Sequence, residues 1–507
     1  MTKTSSAQNL AFQSAHAQLV EAESARRAGN FARAKSLCET LLAQHPTYVG
    51  ALQTLGAVHL AKNDFRQALS CFISAAVLCP KDWVNLNNLA AAFLKMGGRQ
   101  LAAQILERAS NLKPDNLEAY CMLAEICREE REYSRAVDFF RAALDLAPSN
   151  AEAAHGLGDS YLQLGLYGEA ADALSIAHKY DNRSVYILYS LTQLPPELCP
   201  MDLNAALSSV GKGASQSQDE FETVLSYVKA AILDRGEAYD EAWKNMVDAN
   251  QRNVARHQDL HQRNAAKMAS ALENARRSAK PARVREGGED CPVSLFILGP
   301  SRSGKTCLEL LISKLEDVKR GHESRFAEIA ARRTSQQAGF LALSNPQALP
   351  PMLDSAFKDI YVEELKDFAK GARIVTDTYP AMIPYVARVA RSIPNCRFVW
   401  MKRDINDLSL RIFMRHYKQG NHYGYNIRTI FQHVSWYYEL ADLWLERFPE
   451  ISIKMNYEDM VVDPRAAFER VAQLCGAEVP KGALPDIGDD RGCSLPYRAY
   501  IADALTG

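Results

Sequence analysis

Residues 299–306 read Gly-Pro-Ser-Arg-Ser-Gly-Lys-Thr, preceded by the apolar run SLFIL and followed by CLELLISKLEDV. A strand, a glycine-bounded loop and an amphipathic helix in that order aim successive backbone N–H groups and a helix N-terminus at an anion. Lys305 adds a point charge and Thr306 a hydroxyl at the same spot; a plain strand-to-helix turn needs neither. Taken literally, Gly299 to Thr306 fits G-x-x-x-x-G-K-[ST], the loop that cradles a nucleoside triphosphate. A site of that kind also needs an acid on a second strand for Mg²⁺. Asp377, ending ARIVTD, is the candidate. Arg302-Ser303-Gly304 inside the loop is unusual for that class and typical of another.

These residues stand in a chain of 507 with 47% hydrophobic and 23% charged residues, the make-up of a globular protein of about three folding units. Lys and Arg (59) nearly balance Asp and Glu (60), so bulk charge gives no case for nucleic acid or an anionic membrane. No apolar run reaches the roughly 18 residues of a membrane helix, and the start lacks the apolar core of a secretory signal. Eleven cysteines, an odd number without a CxxC pair, fit reduced thiols in a cytoplasmic protein better than a disulfide framework or a zinc site.

The first third repeats itself. Ala34, Ala68, Ala102, Ala136 and Ala170 are 34 residues apart, the tetratricopeptide period, and Cys38, Phe72, Leu106, Phe140 and Leu174 follow each by four. Pro46, Pro80, Pro114 and Pro148 close four units, with Asn182 in that place in the fifth. Gly29, Gly97 and Gly165 fall at turns between paired helices, where a left-handed backbone costs glycine nothing. Residues 15–184 therefore read as five helix pairs of an all-α solenoid after a 14-residue extension. Arrays of this kind offer a groove to a peptide or protein partner. Asn87 and Asn88 are candidates to bond an extended peptide, or else solvated polar residues. A helical connector, 185–275, carries an imperfect sixth repeat around Gly236, Ala242 and Met246, and a basic linker, 276–290, marks the boundary to residues 291–507.

Read in order, the motifs resemble those of the bacterial tetratricopeptide-repeat sulfotransferases, relatives of tyrosylprotein sulfotransferase. The resemblance covers nearly the whole chain. It rests on the SRSGKT loop, on Gly321-His322-Glu323-Ser324-Arg325, and on CRFVWM leading to Arg403-Asp404 with Asp407 beyond. GNHYGYN and NYEDMVVDPRAAFERVAQLCG complete it, with Asp463 and Pro464 placed as a helix N-cap and first helical residue.

The resemblance implies a multidomain α and α/β fold: the solenoid, then a three-layer α/β domain with a mainly parallel sheet. Strands are expected near 293–298, 373–377, 397–401 and 451–456, with the ligand at their carboxyl ends. It also implies transfer of a sulfuryl group from 3′-phosphoadenosine 5′-phosphosulfate to a hydroxyl or amine of a peptide, protein or glycan acceptor, with no metal. Arg302, Ser303, Gly304, Lys305 and Thr306 would hold the phosphosulfate, where fixed positive charge and N–H donors must meet developing negative charge. Lys305 would also act on the leaving group, and Glu323 would take the acceptor's proton. Arg403 would clamp the 3′-phosphate through its fork, with Arg411 beside it. His322, His416 and His422 are alternative bases, and Arg325 is a candidate to orient an acidic acceptor.

Three positions depart from the family. Thr378 stands where it has a lysine, while Lys305 replaces its usual threonine. Arg411 replaces a serine on the 3′-phosphate. The long C-terminal loop that closes over the donor is shortened to ALPDIGDDRGCSLPYRAYIADAL, in which Arg491 or Arg498 could substitute. A silent domain on a repeat scaffold and a Mg²⁺-dependent phosphotransferase are the competing readings.

Overall fold

The computed structural model describes residues 3–213, 216–256, 268–273, 275–276, 291–344, 349–417 and 421–506, with the backbone alone described for residues 3–12, 337–344 and 349–351. The basic linker lies outside these apart from Arg276. By contact density the chain divides into two compact units, one ending at Ser160 and the other beginning at Tyr161.

The first unit is built of antiparallel helix pairs: Lys3–Arg27 with Phe31–Gln44, Val49–Ala61 with Phe65–Leu78, Trp83–Lys95 with Arg99–Leu112, and Leu117–Glu129 with Tyr133–Leu146. Ala151–Leu164 and Tyr167–Tyr180 are the helices of the fifth repeat, and the unit boundary falls within the first of them. The first helix begins twelve residues before the expected Ala15. Every one of the five repeating alanines is fully buried, as are Cys38, Phe72 and Leu106. The 34-residue period thus marks the seam on which paired helices meet. Asn87 is buried too, and its amide exchanges hydrogen bonds with Asn116 of the next pair (3.0 and 3.1 Å) and reaches Glu118. It joins neighbouring repeats, so the peptide-facing role considered for it does not hold.

The left-handed turn also recurs at the same spacing: Gly29, Asn63, Gly97, Arg131 and Gly165 all have positive φ, between 60° and 80°. Only three are glycine. Backbone handedness, set by the geometry of the helix pair, is kept even where Arg131 must adopt it at a cost of roughly 1–2 kcal/mol.

The second unit holds a five-stranded, all-parallel sheet in the order β2-β3-β1-β4-β5, with β1 Val293–Leu298, β2 Val318–Lys319, β3 Ile374–Asp377, β4 Cys396–Lys402 and β5 Ser452–Asn456. Four strands match expectation to within a residue; the two-residue β2 carries no pattern of its own. Alternation along β1 sends Phe296 and Leu298 to one face and Leu295 and Ile297 to the other. The helices Phe326–Ser344, Leu349–Ala369 and Ile427–Arg447 cover the first face; Lys305–Ile312 and Pro464–Cys475 cover the second. Asp463 caps the last of these by accepting from the Ala466 amide at 2.9 Å, as its sequence promises. Crossovers run one way from β1 toward β2 and the other way to β4, so the switch point lies between the carboxyl ends of β1 and β4.

The connector belongs to this unit. Its helix pair Gln218–Arg235 and Tyr239–Arg256 buries Ala242 and Met246 in one core with Leu408, Ile412, Tyr423, Ile430 and Ile501. Asn250 donates to the Phe413 carbonyl at 2.8 Å. The unit therefore starts far upstream of the basic linker.

Apart from Gly97 and its chain neighbours, no described atom lies within 4 Å of where a Cβ would sit on it, so a substitution there reports the backbone alone. Gly97→Val should destabilise the repeat unit by about 1–2 kcal/mol in a denaturant titration, and an unchanged midpoint would contradict the left-handed requirement.

Candidate active site

Close approach shapes the loop after β1. A Cβ on Gly299 would lie 2.4 Å from the Ser303 hydroxyl and 2.9 Å from Met401 Cβ on β4; one on Gly304 would lie 2.5 Å from the Tyr457 ring. Arg302 (φ 66°) and Gly304 (φ 91°) are both left-handed, and the helix Lys305–Ile312 starts directly after them. Gly304 has no side chain to cap that helix. The Ser303 hydroxyl is buried and has no hydrogen-bond partner among the described residues. Lys305 folds back on the loop, its ammonium donating to the carbonyls of Gly299 and Pro300 at 2.9 Å each. Thr306 lies against the turn of the fifth helix pair: a Cβ on Gly165 would sit 3.4 Å from its methyl.

Arg403, just past β4, is 6% exposed and lies beneath this loop. One terminal nitrogen donates to the Arg302 carbonyl at 3.1 Å; the other pairs with the Asp490 carboxylate at 2.8 Å and donates to its backbone carbonyl. Its plane sits 4.3 Å over the Tyr457 ring, and its Nε is buried without a partner among the described residues. Arg411 donates through Nε to the second Asp490 oxygen at 2.9 Å, and the Tyr457 hydroxyl donates to the first at 2.6 Å. Burial opposes the charge on Asp490, but Arg403 and Arg411 outweigh it and hold the carboxyl below its ordinary range. Asp407 anchors the segment that brings Asp490 here, accepting from Gly492 N (2.6 Å), Ser494 N (2.9 Å) and Ser494 Oγ (2.6 Å). A cavity of about 290 Å³ opens beside Arg411, Asp490, Arg491, Gly492 and Cys493. Of the two arginines considered as substitutes for the family's loop, Arg491 is exposed and pairs with Asp489, and Arg498 is exposed.

Glu323 lies in the segment between β2 and the helix Phe326–Ser344. A buried network holds that segment. Glu309, on the helix after the loop, is 1% exposed and accepts from Thr376 Oγ1 (2.5 Å), His322 N (3.0 Å) and His322 Nδ1 (3.0 Å), with Arg320 at 3.2 Å. Burial opposes its ionisation, yet His322 and Arg320 prevail and hold it at about 2. Thr378 N donates to the His322 carbonyl at 2.5 Å, and a Cβ on Gly321 would strike the Thr376 carbonyl at 2.1 Å. Asp377, the acid considered for Mg²⁺, is buried with Tyr379 N donating to it at 2.8 Å, and desolvation pushes it up to about 8.

Arg302 projects to an exposed position, where the like charge of Arg415 pulls it below its ordinary pKa. Arg325 pairs with Glu328, which also accepts from the Tyr379 hydroxyl at 2.8 Å. Of the three histidines weighed as bases, His322 is paired with Glu309 and His416 packs against Tyr189 and Tyr227, its ring centroid 6.0 and 5.6 Å from theirs. The ring of His422 lies 6.4 Å from that of Tyr425. Glu309 and Asp490 were missed. A lone acid inside CLELLI was the one signal for Glu309; Asp490 had none.

Glu309 and Asp377 load stability on pH in opposite directions. Glu309 ionises more readily folded than unfolded, so its contribution is present above its ordinary 4.5 and lost as pH falls toward 2. Asp377 keeps a proton when folded, so its contribution is full below its ordinary 3.8 and lost as pH rises through about 8. Asp377→Asn should raise the melting temperature at pH 8 and change it little near pH 4. Glu309→Gln should cost about 3–5 kcal/mol at pH 7 by stranding its partners. Equal shifts for Asp377→Asn at both pH values would contradict this account.

Residues 292–481 match the model of the sulfotransferase family. Residues 25–76 match the tetratricopeptide repeat, and residues 100–176 the model described as anaphase-promoting complex, cyclosome, subunit 3. The chain is 30% identical over 116 residues to BBSome complex member BBS4 of Bos taurus, covering 23% of this chain and 22% of that protein. It is 28% identical over 208 residues to Superkiller complex protein 3 of Mus musculus, covering 38% and 13%. It thus spans less than a quarter of the length of either curated relative. Among solved structures, MamA is 21% identical with a TM-score of 0.31, covering 33% of this chain and 92% of that one. YrrB, titled a TPR protein with an unusual peptide-binding site, is 20% identical with a TM-score of 0.31, covering 34% and 89%. The chain joins a tetratricopeptide region to a domain of the sulfotransferase family.

Proposed function

We propose that this protein transfers a sulfuryl group from 3′-phosphoadenosine 5′-phosphosulfate to a hydroxyl or amine, with the tetratricopeptide region presenting a peptide, protein or glycan acceptor. One observation carries the reading: within the family-matched region, Arg403 reaches from the carboxyl end of β4 to the Gly299–Gly304 loop, with Arg411 and Tyr457 beside it. The donor set fits a phosphosulfate. It offers a helix N-terminus with no capping side chain at Gly304, Lys305, and a Ser303 hydroxyl and Arg403 Nε that have no partner among the described residues.

In this reading the loop amides, Arg302 and Lys305 meet the charge that builds on the leaving phosphate. Lys305 would exchange its two loop carbonyls for ligand oxygens. Arg403 and Arg411 hold the 3′-phosphate, and Thr306 and Gly304 complete the loop. Glu323 takes the acceptor's proton, positioned through its neighbour His322 on Glu309. No helix among the described residues is long and apolar enough to cross a membrane; a cytoplasmic setting accords with the free cysteines. The literal triphosphate reading is less well supported, because its acid, Asp377, is buried and favours its neutral form near neutral pH.

Calorimetry with adenosine 3′,5′-bisphosphate and with ATP–Mg²⁺ tests the reading. Preference for the bisphosphate is expected, weakened at least about tenfold by Arg403→Ala through loss of charged hydrogen bonds. Preference for ATP–Mg²⁺, abolished by Asp377→Ala, would replace the proposal with phosphotransfer. Failure to bind either would leave a repeat scaffold with a silent domain. Glu323→Gln should keep bisphosphate affinity within a few-fold while turnover falls by about 10² or more; unchanged turnover removes Glu323 from the mechanism.

A further inference from the structure

We infer that Asp490 is an intramolecular competitor of the ligand's phosphate, occupying the position between Arg403, Arg411 and Tyr457 and so making entry conditional on an anion of higher charge. The inference rests on the proposed reading of that site. Three donors converge on the two carboxylate oxygens at 2.6–2.9 Å: Arg403 and Tyr457 on Oδ1, Arg411 on Oδ2. A phosphate monoester offers three oxygens and close to two negative charges where Asp490 offers two oxygens and one. The unsatisfied Nε of Arg403 is consistent with a donor set larger than a carboxylate fills.

The segment that carries Asp490 can yield. Residues 478–490 contain neither helix nor strand, and the left-handed glycines Gly488 (φ 69°) and Gly492 (φ 72°) bracket the carboxylate. Anchorage to Asp407 begins only at Gly492. The Asp490 side chain remains one-third exposed (33%), whereas Arg403 is at 4%, and the cavity of about 290 Å³ lies directly alongside. Withdrawal of Asp490 would therefore expose the cation without disturbing the anchor. A ligand lacking the ribose phosphate has nothing to exchange for Asp490, so the carboxylate sharpens selection for a 3′-phosphorylated nucleotide.

The experiment is calorimetry on the full chain, comparing wild type with Asp490→Asn for adenosine 3′,5′-bisphosphate and for adenosine 5′-monophosphate. Removing the competitor should raise bisphosphate affinity about ten- to a hundredfold, the factor expected when the open site is about 1–10% populated, and leave the monophosphate nearly unchanged. In wild type, the bisphosphate should speed amide exchange across residues 486–491, a readout that survives if the variant folds poorly. Should wild type bind the bisphosphate while Asp490→Asn binds no tighter and exchange at 486–491 slows, Asp490 is a structural partner and the inference falls alone. If neither protein binds the bisphosphate, the inference falls together with the sulfotransfer reading. Binding by Asp490→Asn only would support both and define a site held shut in the resting chain.

Discussion

A guanidinium at 4% side-chain exposure cannot stand alone, and the carboxyl edge of the sheet is arranged around that constraint at Arg403. Stranding a buried charge costs about 3–5 kcal/mol, a large share of any domain's stability. Arg403 is met by the Arg302 carbonyl, the Tyr457 ring and Asp490, so residues from four distant stretches of chain are drawn to one point. Gly304 takes part by absence, since a side chain there would displace the Tyr457 ring. The loop after β1, the turn after β5 and the C-terminal segment thus share one electrostatic anchor.

Glu309 and Asp377 show how partners decide the fate of buried acid. Both are nearly inaccessible, and desolvation is the largest influence on each. Glu309 faces Arg320 and His322 and stays ionised; Asp377 is given a backbone amide but no cation among the described residues and holds its proton. The difference is mechanical as well. Glu309 ties the helix of the Gly299–Gly304 loop to the stretch 320–322, so the placement of Glu323 is inherited from a charge four residues beyond Lys305.

What could be read from the sequence was local. The 34-residue period, the strand–loop–helix order and the cap at Asp463 depend on residues within a few positions of each other, and each appears where its pattern lies. What could not be read was non-local. Asp490 meets Arg411 and Arg403 across 79 and 87 positions, and no periodicity spans such a gap. Asn87 misled because a polar residue on a repeat helix has two equally plain uses, and only the packing shows that this one is spent on Asn116. The connector misled for a similar reason: linker composition marks where the chain is hydrophilic, while the core that Met246 shares with Ile412 and Ile501 marks where it folds together.

The electrostatics of the loop reach the turn of the fifth repeat. Arg320 donates to the Leu164 carbonyl at 3.0 Å, so the Glu309 network extends to the turn of the fifth helix pair, whose Gly165 lies against Thr306. Here, too, stand Arg302 and Arg415, which form no ion pair with a carboxylate among the described residues, whereas Arg403 and Arg411 share one. Two like charges held near each other repel, and the cost is relieved by water or by an anion. The loop is thus flanked by one pair of arginines that shares a carboxylate from within the chain and one pair that has none among the described residues. Tyr167, two residues past the left-handed Gly165, lies on the uncompensated side.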